Sequence, residues 1–184
     1  LHSARTTGIV EAINGDTGAI RRVGRITALI GFTAVGAQLA VWLPFTPVPI
    51  TMQTLFVLLA GITLGPRDGF FAMCSYIVLG VSGLPLFAGF SFGPAVLVGP
   101  TGGYLLSFPA AALLAGAVSA RSGGRVSVML GAFSGTALII VAGALHLLLL
   151  SGRSLSMVVP LAITPFLAGD AVKAVTAVLL AGRR

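Results

Sequence analysis

Residues 126–150 read VSVMLGAFSGTALIIVAGALHLLLL, an apolar run without a single Asp, Glu, Lys or Arg. At about 1.5 Å per residue, a helix of this length outspans the roughly 30 Å hydrocarbon core of a bilayer. The run is therefore a transmembrane helix, and the rest of the chain has to be compatible with that. It is: hydrophobic residues make up 57% of the chain, charged residues 8%, and the mean hydropathy is +1.07. A soluble domain needs about a quarter charged residues to cover its surface. This chain could not cover one.

Working outward from 126–150, apolar runs bounded by Gly, Pro and charge predict five further helices. They are Arg25–Leu43, Thr51–Leu64, Gly69–Val81, Tyr104–Ala120 and, after Pro165, Ala168–Ala181. The expected fold class is an all-α integral membrane protein with six transmembrane helices. Residues 1–24 are expected to form a short polar leader, and residues 25–184 the six-helix transmembrane domain. The leader has no apolar core, so it is not a signal peptide, and its order is left open by the sequence. The chain begins Leu1-His2-Ser3 without methionine, which reads as a trimmed or displaced start.

Charge gives the orientation. With the N-terminus inside, the inner segments hold Arg5, Arg21, Arg22, Arg25, Arg67, Arg121, Arg125, Arg183 and Arg184, whereas the outer ones hold only Arg153. That bias predicts an N-in, C-in chain in the cell membrane, surrounded by lipid. The net charge of +7 does not indicate nucleic-acid binding, because the arginines form no basic stripe and are not interleaved with aromatics. The single cysteine, Cys74, excludes an internal disulfide and a thiolate metal cluster.

Two outer stretches interrupt the helical pattern. Residues 44–50, PFTPVPI, contain three prolines that block helix continuation. Residues 82–103 are apolar but punctuated by Gly83, Pro85, Gly89, Gly93, Pro94, Gly99, Pro100, Gly102 and Gly103. Irregular backbone at membrane depth is tolerated only against protein or a cavity. The expectation is a lid that roofs a pocket from the outer side; the plain alternative is a greasy loop lying on headgroups. Ser154–Pro165 is apolar too and broken by Pro160, which reads as an outer approach segment rather than a span.

Asp170 and Lys173 are the only acid and the only lysine within a predicted span. A charge at the bilayer centre costs about 2.5–3.5 kcal/mol on insertion scales. At i, i+3 the two share one helix face and can neutralise each other. The pair either fixes helix packing or forms a polar contact point for a ligand, and Gly169 permits close approach beside it. In the run Gly99-Pro100-Thr101-Gly102-Gly103-Tyr104, helix-terminal N–H groups are candidate acceptor-binding groups, with an ordinary tight turn as the simpler reading. Gln53 is a lone amide near an outer helix end. Phe87, Phe90, Phe92 and Tyr104 offer aromatic surface for an apolar ring. Trp42 reads as an interfacial anchor. His146 has no second ligand at metal spacing, so no zinc site is expected, and no cofactor is called for. No nucleophile–base constellation appears, and no G-x-x-x-x-G-K-[ST] loop exists for ATP. On the first helix Thr33, Gly36, Ala37 and Ala40 are small; Gly36 and Ala40 make a small-xxx-small pair that admits another helix, internal or from a partner.

Taken in order and spacing, FTPVPITMQTL (45–55), LLAG (58–61), LGPR (64–67), LGVSGLPLFAG (79–89), GPTGGYL (99–105) and PFLAGDAVKA (165–174) resemble the BioY family. These are the biotin-capturing S components of energy-coupling-factor (ECF) transporters, and the resemblance covers about Phe45 to Ala181. It implies a six-helix fold that binds biotin from outside. It also implies a transmembrane coupling subunit and two ATPase subunits as partners, and no catalysis by this chain. By the same resemblance Asp170 would accept the ureido N–H groups, and Lys173 would donate to the ureido oxygen or to the valerate carboxylate. The lid departs from the family pattern: it carries Ser91 and Thr101 but no Asn, Arg or Lys, which leaves backbone groups at Thr101–Gly103 as its expected polar contacts. Rival readings are an S component for another vitamin, an intramembrane enzyme, and a membrane assembly protein.

Overall fold

The computed structural model describes residues 2–122 and 124–182, with side chains from Thr17 onward. The chain is almost wholly helical. Helix α1 spans His2–Gln38, longer at its start than the predicted Arg25–Leu43 and shorter at its end. A two-residue hairpin follows, β1 (Ala40–Val41) against β2 (Ile50–Thr51), antiparallel with Ala40 opposite Thr51. The proline-rich stretch 44–49 forms the hairpin loop, since prolines cannot supply ladder donors. Ala40 thus sits in a strand and not on the helix surface.

Helix α2 (Gln53–Leu59) runs on into a π-helical turn over Ala60–Leu64. Gly65, at φ 89°, reverses the chain into α3 (Pro66–Val81), where Pro66 fills a first-turn position that has no need of its N–H. The irregular stretch beyond α3 contains only a 3-10 turn at Ala88–Phe90 and the short helix α4 (Ala95–Val98). Helices α5 (Gly102–Ser119) and α6 (Arg125–Ser151) then pack along each other as the most extensive helix pair.

The expected approach segment is itself helical. It forms α7 (Leu155–Ala162), which Ile163 separates from α8 (Thr164–Leu180). Helix α8 starts before the predicted Ala168 because Pro165 lies in its first turn, where a missing N–H costs nothing. Among the described residues, three helical stretches are long and apolar enough to cross a membrane: Gly102–Ser119, Arg125–Ser151 and Leu155–Leu180.

Small residues set how closely the central helices approach. A Cβ on Gly61, in the π turn, would lie 2.1 Å from the Ala112 carbonyl oxygen of α5. One on Gly116 would come within 2.6 Å of the Gly61 oxygen, and one on Gly69 within 2.8 Å of the Gly61 Cα. Backbones of α2, α3 and α5 therefore meet at Gly61. Above this crossing the core is built from Val57, Met73, Tyr76, Phe87, Phe108 and Ile139.

Apolar side chains such as Val126, Leu130, Leu149, Val172 and Leu179 face outward, the inverse of a water-soluble surface. Charge collects at one end instead. Arg22 makes a two-point ion pair with Asp68, Nε to Oδ2 at 2.7 Å, and Arg25 donates to the Thr63 carbonyl at 2.5 Å. The Arg22 guanidinium holds the Asp68 carboxyl below the usual carboxylate range.

Candidate functional site

Asp170 and Lys173 are buried, 3% and 6% exposed, on the inward face of α8. Lys173 Nζ donates to Asp170 Oδ1 at 2.5 Å and to the Thr51 carbonyl of β2 at 2.7 Å. The hairpin thus brings the backbone of β2 onto the ion pair. An ammonium has three protons and a carboxylate two oxygens. After these contacts the pair retains one Nζ proton and Asp170 Oδ2, a donor beside an acceptor.

Both residues line a cavity of about 110 Å³ that is open at its mouth. Its polar wall includes Thr51, Gln53 and Thr54. Its aromatic wall is Phe87, Tyr104, Phe108 and Phe166, with Tyr104 and Phe166 in ring contact at 5.6 Å. Over it lie Phe87, Ala88, Ser91, Val96 and Thr101 of the irregular stretch 82–103, with Trp42 from the hairpin.

Of the residues singled out from sequence, Asp170, Lys173, Gln53, Thr101, Tyr104 and Phe87 come together around this one cavity. Gly102 and Gly103 do not line it, because they serve helix packing. A Cβ on Gly102 would meet the Leu97 carbonyl at 1.8 Å, and one on Gly103 would meet His146 Cβ at 2.2 Å. The Gly102 N–H is already donated to Gly99 O at 3.0 Å. Phe90 and Phe92 turn outward and are largely exposed. Tyr104 faces the cavity with its ring, while its hydroxyl donates to the Ala162 carbonyl at 2.7 Å. His146 bonds to the Gly99 carbonyl at 3.0 Å, tying α6 to the end of the lid.

The small residues of α1 face inward. Thr33 and Ala37 are fully buried, and a Cβ on Gly36 would meet the Phe56 ring at 2.8 Å and the Met52 carbonyl carbon at 3.1 Å. With Ala40 in the hairpin, this face is occupied by α2 of the same chain. The outward face of α1 carries Phe32, Val35 and Leu39.

Sequence reading passed over three polar residues that line or support the site, Thr51, Tyr76 and Gln38. Gln53 Nε2 donates to the Tyr76 hydroxyl at 2.8 Å, and Tyr76 donates to the Leu86 carbonyl of the lid at 2.8 Å. Thr51 Oγ1 donates to Gln53 Oε1 at 2.9 Å. Gln38 bonds to the lid twice, through Phe87 O and Phe90 N, each at 3.0 Å. Tyr76 and Gln38 sit in apolar helical runs, where only the adjacent lid backbone reveals their purpose.

A helical fold with an apolar exterior, around a cavity roofed by an irregular segment with a charged pair in its wall, is that of a membrane-type small-molecule-binding protein. The profile of the BioY family matches residues 7–184, and the chain belongs to that family. It is 40% identical over 163 residues to the probable biotin transporter BioY of Pyrococcus horikoshii, covering 89% of this chain and 95% of that one. It is 35% identical over 162 residues to the biotin transporter BioY of Thermotoga maritima, covering 88% and 92%. The fold is similar to the crystal structure of the S-component for biotin from an ECF-type ABC transporter, with TM-score 0.79, 24% identity and 90% of each chain covered.

Proposed function

We propose that this protein is the biotin-capturing S component of an uptake transporter, binding the vitamin without altering it. Family membership and two relatives named as biotin transporters support the substrate. The observation that carries the site is the leftover hydrogen-bonding capacity of the Asp170–Lys173 pair inside an aromatic-lined cavity. A ureido ring offers N–H donors and a carbonyl acceptor, which match Oδ2 and the third Nζ proton. Phe87, Tyr104, Phe108 and Phe166 then give the thioether ring an apolar enclosure, and the lid excludes water.

In this reading the chain crosses the cell membrane six times with both termini inside, and the cavity opens outward. Energy comes from a transmembrane coupling subunit and two ATPase subunits, as the name of the structurally similar S-component suggests. Radiolabelled biotin binding to the purified chain is the test. Asp170→Asn and Lys173→Ala are each expected to weaken binding by tenfold or more, given about 1.5–3 kcal/mol for a hydrogen bond to a charged group. No binding by the wild type would refute the substrate. Undiminished binding by both variants would refute the site.

A further inference from the structure

Besides the tie from His146 of α6 at its far end, the lid is held at its root and at its tip. Its root belongs to α3: Tyr76 holds the Leu86 carbonyl, the Gly93 N–H donates to Gly80 O at 2.8 Å, and the Phe87 ring lies where a side chain on Gly80 would be. Its tip belongs to α1, through the side-chain hydrogen bonds of Gln38. The Gln38 carboxamide donates to Phe87 O and accepts from Phe90 N–H, bridging residues about fifty positions away in sequence. Phe90 needs such a hold. Its φ is 57°, the only positive value among the described non-glycine residues, yet its ring is 66% exposed and cannot be pinned by packing. A conformation that L-residues rarely adopt persists only where its surroundings over-determine it.

We propose that Gln38 is the latch of the lid, a positioning residue whose two-point bond to Phe87 and Phe90 sets how often the cavity opens. Gln38 does not line the cavity, so it acts through the lid and not on the ligand. Because root and tip are fastened to different helices, displacement of α1 against α3 breaks the Gln38 bonds first and frees the roof residues Phe87, Ala88 and Ser91.

The kinetic part of the test rests on biotin being the ligand; the exchange part does not. Gln38→Met keeps the size of the side chain and removes both bonds. In the ligand-free full chain, hydrogen exchange over residues 86–91 is expected to rise about tenfold, as two backbone-directed hydrogen bonds are lost, with α5 and α6 unchanged. Gln38→Glu, which keeps the acceptor for Phe90 N–H but loses the donor, should fall between. In a radiolabelled biotin chase, Gln38→Met should speed dissociation and association together, so that Kd moves less than either rate. The latch is overturned if exchange at 86–91 matches wild type, or if exchange rises equally in all helices. It is also overturned if dissociation is unchanged in a wild type that binds. Should wild type not bind biotin, the biotin reading fails and the exchange result alone decides the latch.

Discussion

At the scale of single residues, burial sets the stakes for every polar group in this chain. Asp170 and Lys173 stood out in the sequence because a charge inside an apolar span is costly, although helix packing and ligand contact were both open readings of the pair. Tyr76 was not legible, since a tyrosine in an apolar run reads equally as a core ring or an interfacial anchor. Its role depends on Gln53, 23 residues away, and on a lid carbonyl. The hydroxyl is buried at 0% residue exposure and stands in line between the two. Tyr76→Phe removes one oxygen but orphans both the Gln53 N–H and the Leu86 carbonyl. Leaving a buried group unpaired costs about 1–3 kcal/mol. The variant should therefore show a clearly lowered melting temperature, although Tyr76 lines no part of the cavity. Biotin binding at low temperature should be retained. A melting temperature equal to wild type would mean that water replaces the hydroxyl and the network carries little.

At the scale of elements, the apolar runs located the helices well and their ends poorly. Prolines account for much of the difference. Pro66 and Pro165 look like breaks in a linear reading but begin helices, because the first turn tolerates them. The lid was legible from its glycines and prolines, yet which of its aromatics turn inward was not. Phe87 plugs the gap over Gly80 while Phe90 and Phe92 point away, a choice made by the left-handed backbone at Gly89 and Phe90. The helix crossing at Gly61 was invisible for a similar reason, since contact with Ala112, Gly116 and Gly69 exists only in three dimensions. There the approach is backbone to backbone and cannot relax by a rotamer change. Gly61→Val is expected to destabilise the protein by about 2–3 kcal/mol or more, within the range of overpacking penalties. Gly18→Val, with open space around its Cβ, should be neutral or slightly stabilising, because valine is the better helix former of the two. Detergent-solubilised thermal melts of the two variants would separate crowding at Gly61 from a general intolerance of added bulk.

For the whole molecule, the placement of charge predicts more than the helices alone define. Among the described residues three stretches are long and apolar enough to span, and α1, α2 with its π turn, and α3 would have to supply the other three crossings in a six-span chain. On the arginine bias, Arg22, Arg25, Arg67, Arg121 and Arg125 are expected inside and Arg153 outside. The contacts among Arg22, Asp68, Arg25 and the Thr63 carbonyl would then gather at the inner face. This arrangement makes a parity prediction. Ser122 and Ser154 flank α6, so cysteines at the two positions should lie on opposite sides of the membrane. Gly18 and Ser122 are separated by four expected crossings and should lie on the same side. In a Cys74→Ala background, a membrane-impermeant maleimide added to intact cells should label Ser154→Cys alone. Permeabilised cells should label Gly18→Cys and Ser122→Cys as well. Labelling of Ser122→Cys but not Ser154→Cys in intact cells would invert the orientation. Opposite behaviour of Gly18→Cys and Ser122→Cys would require an odd number of crossings, and one of the shorter apolar segments would then have to return to the side from which it entered.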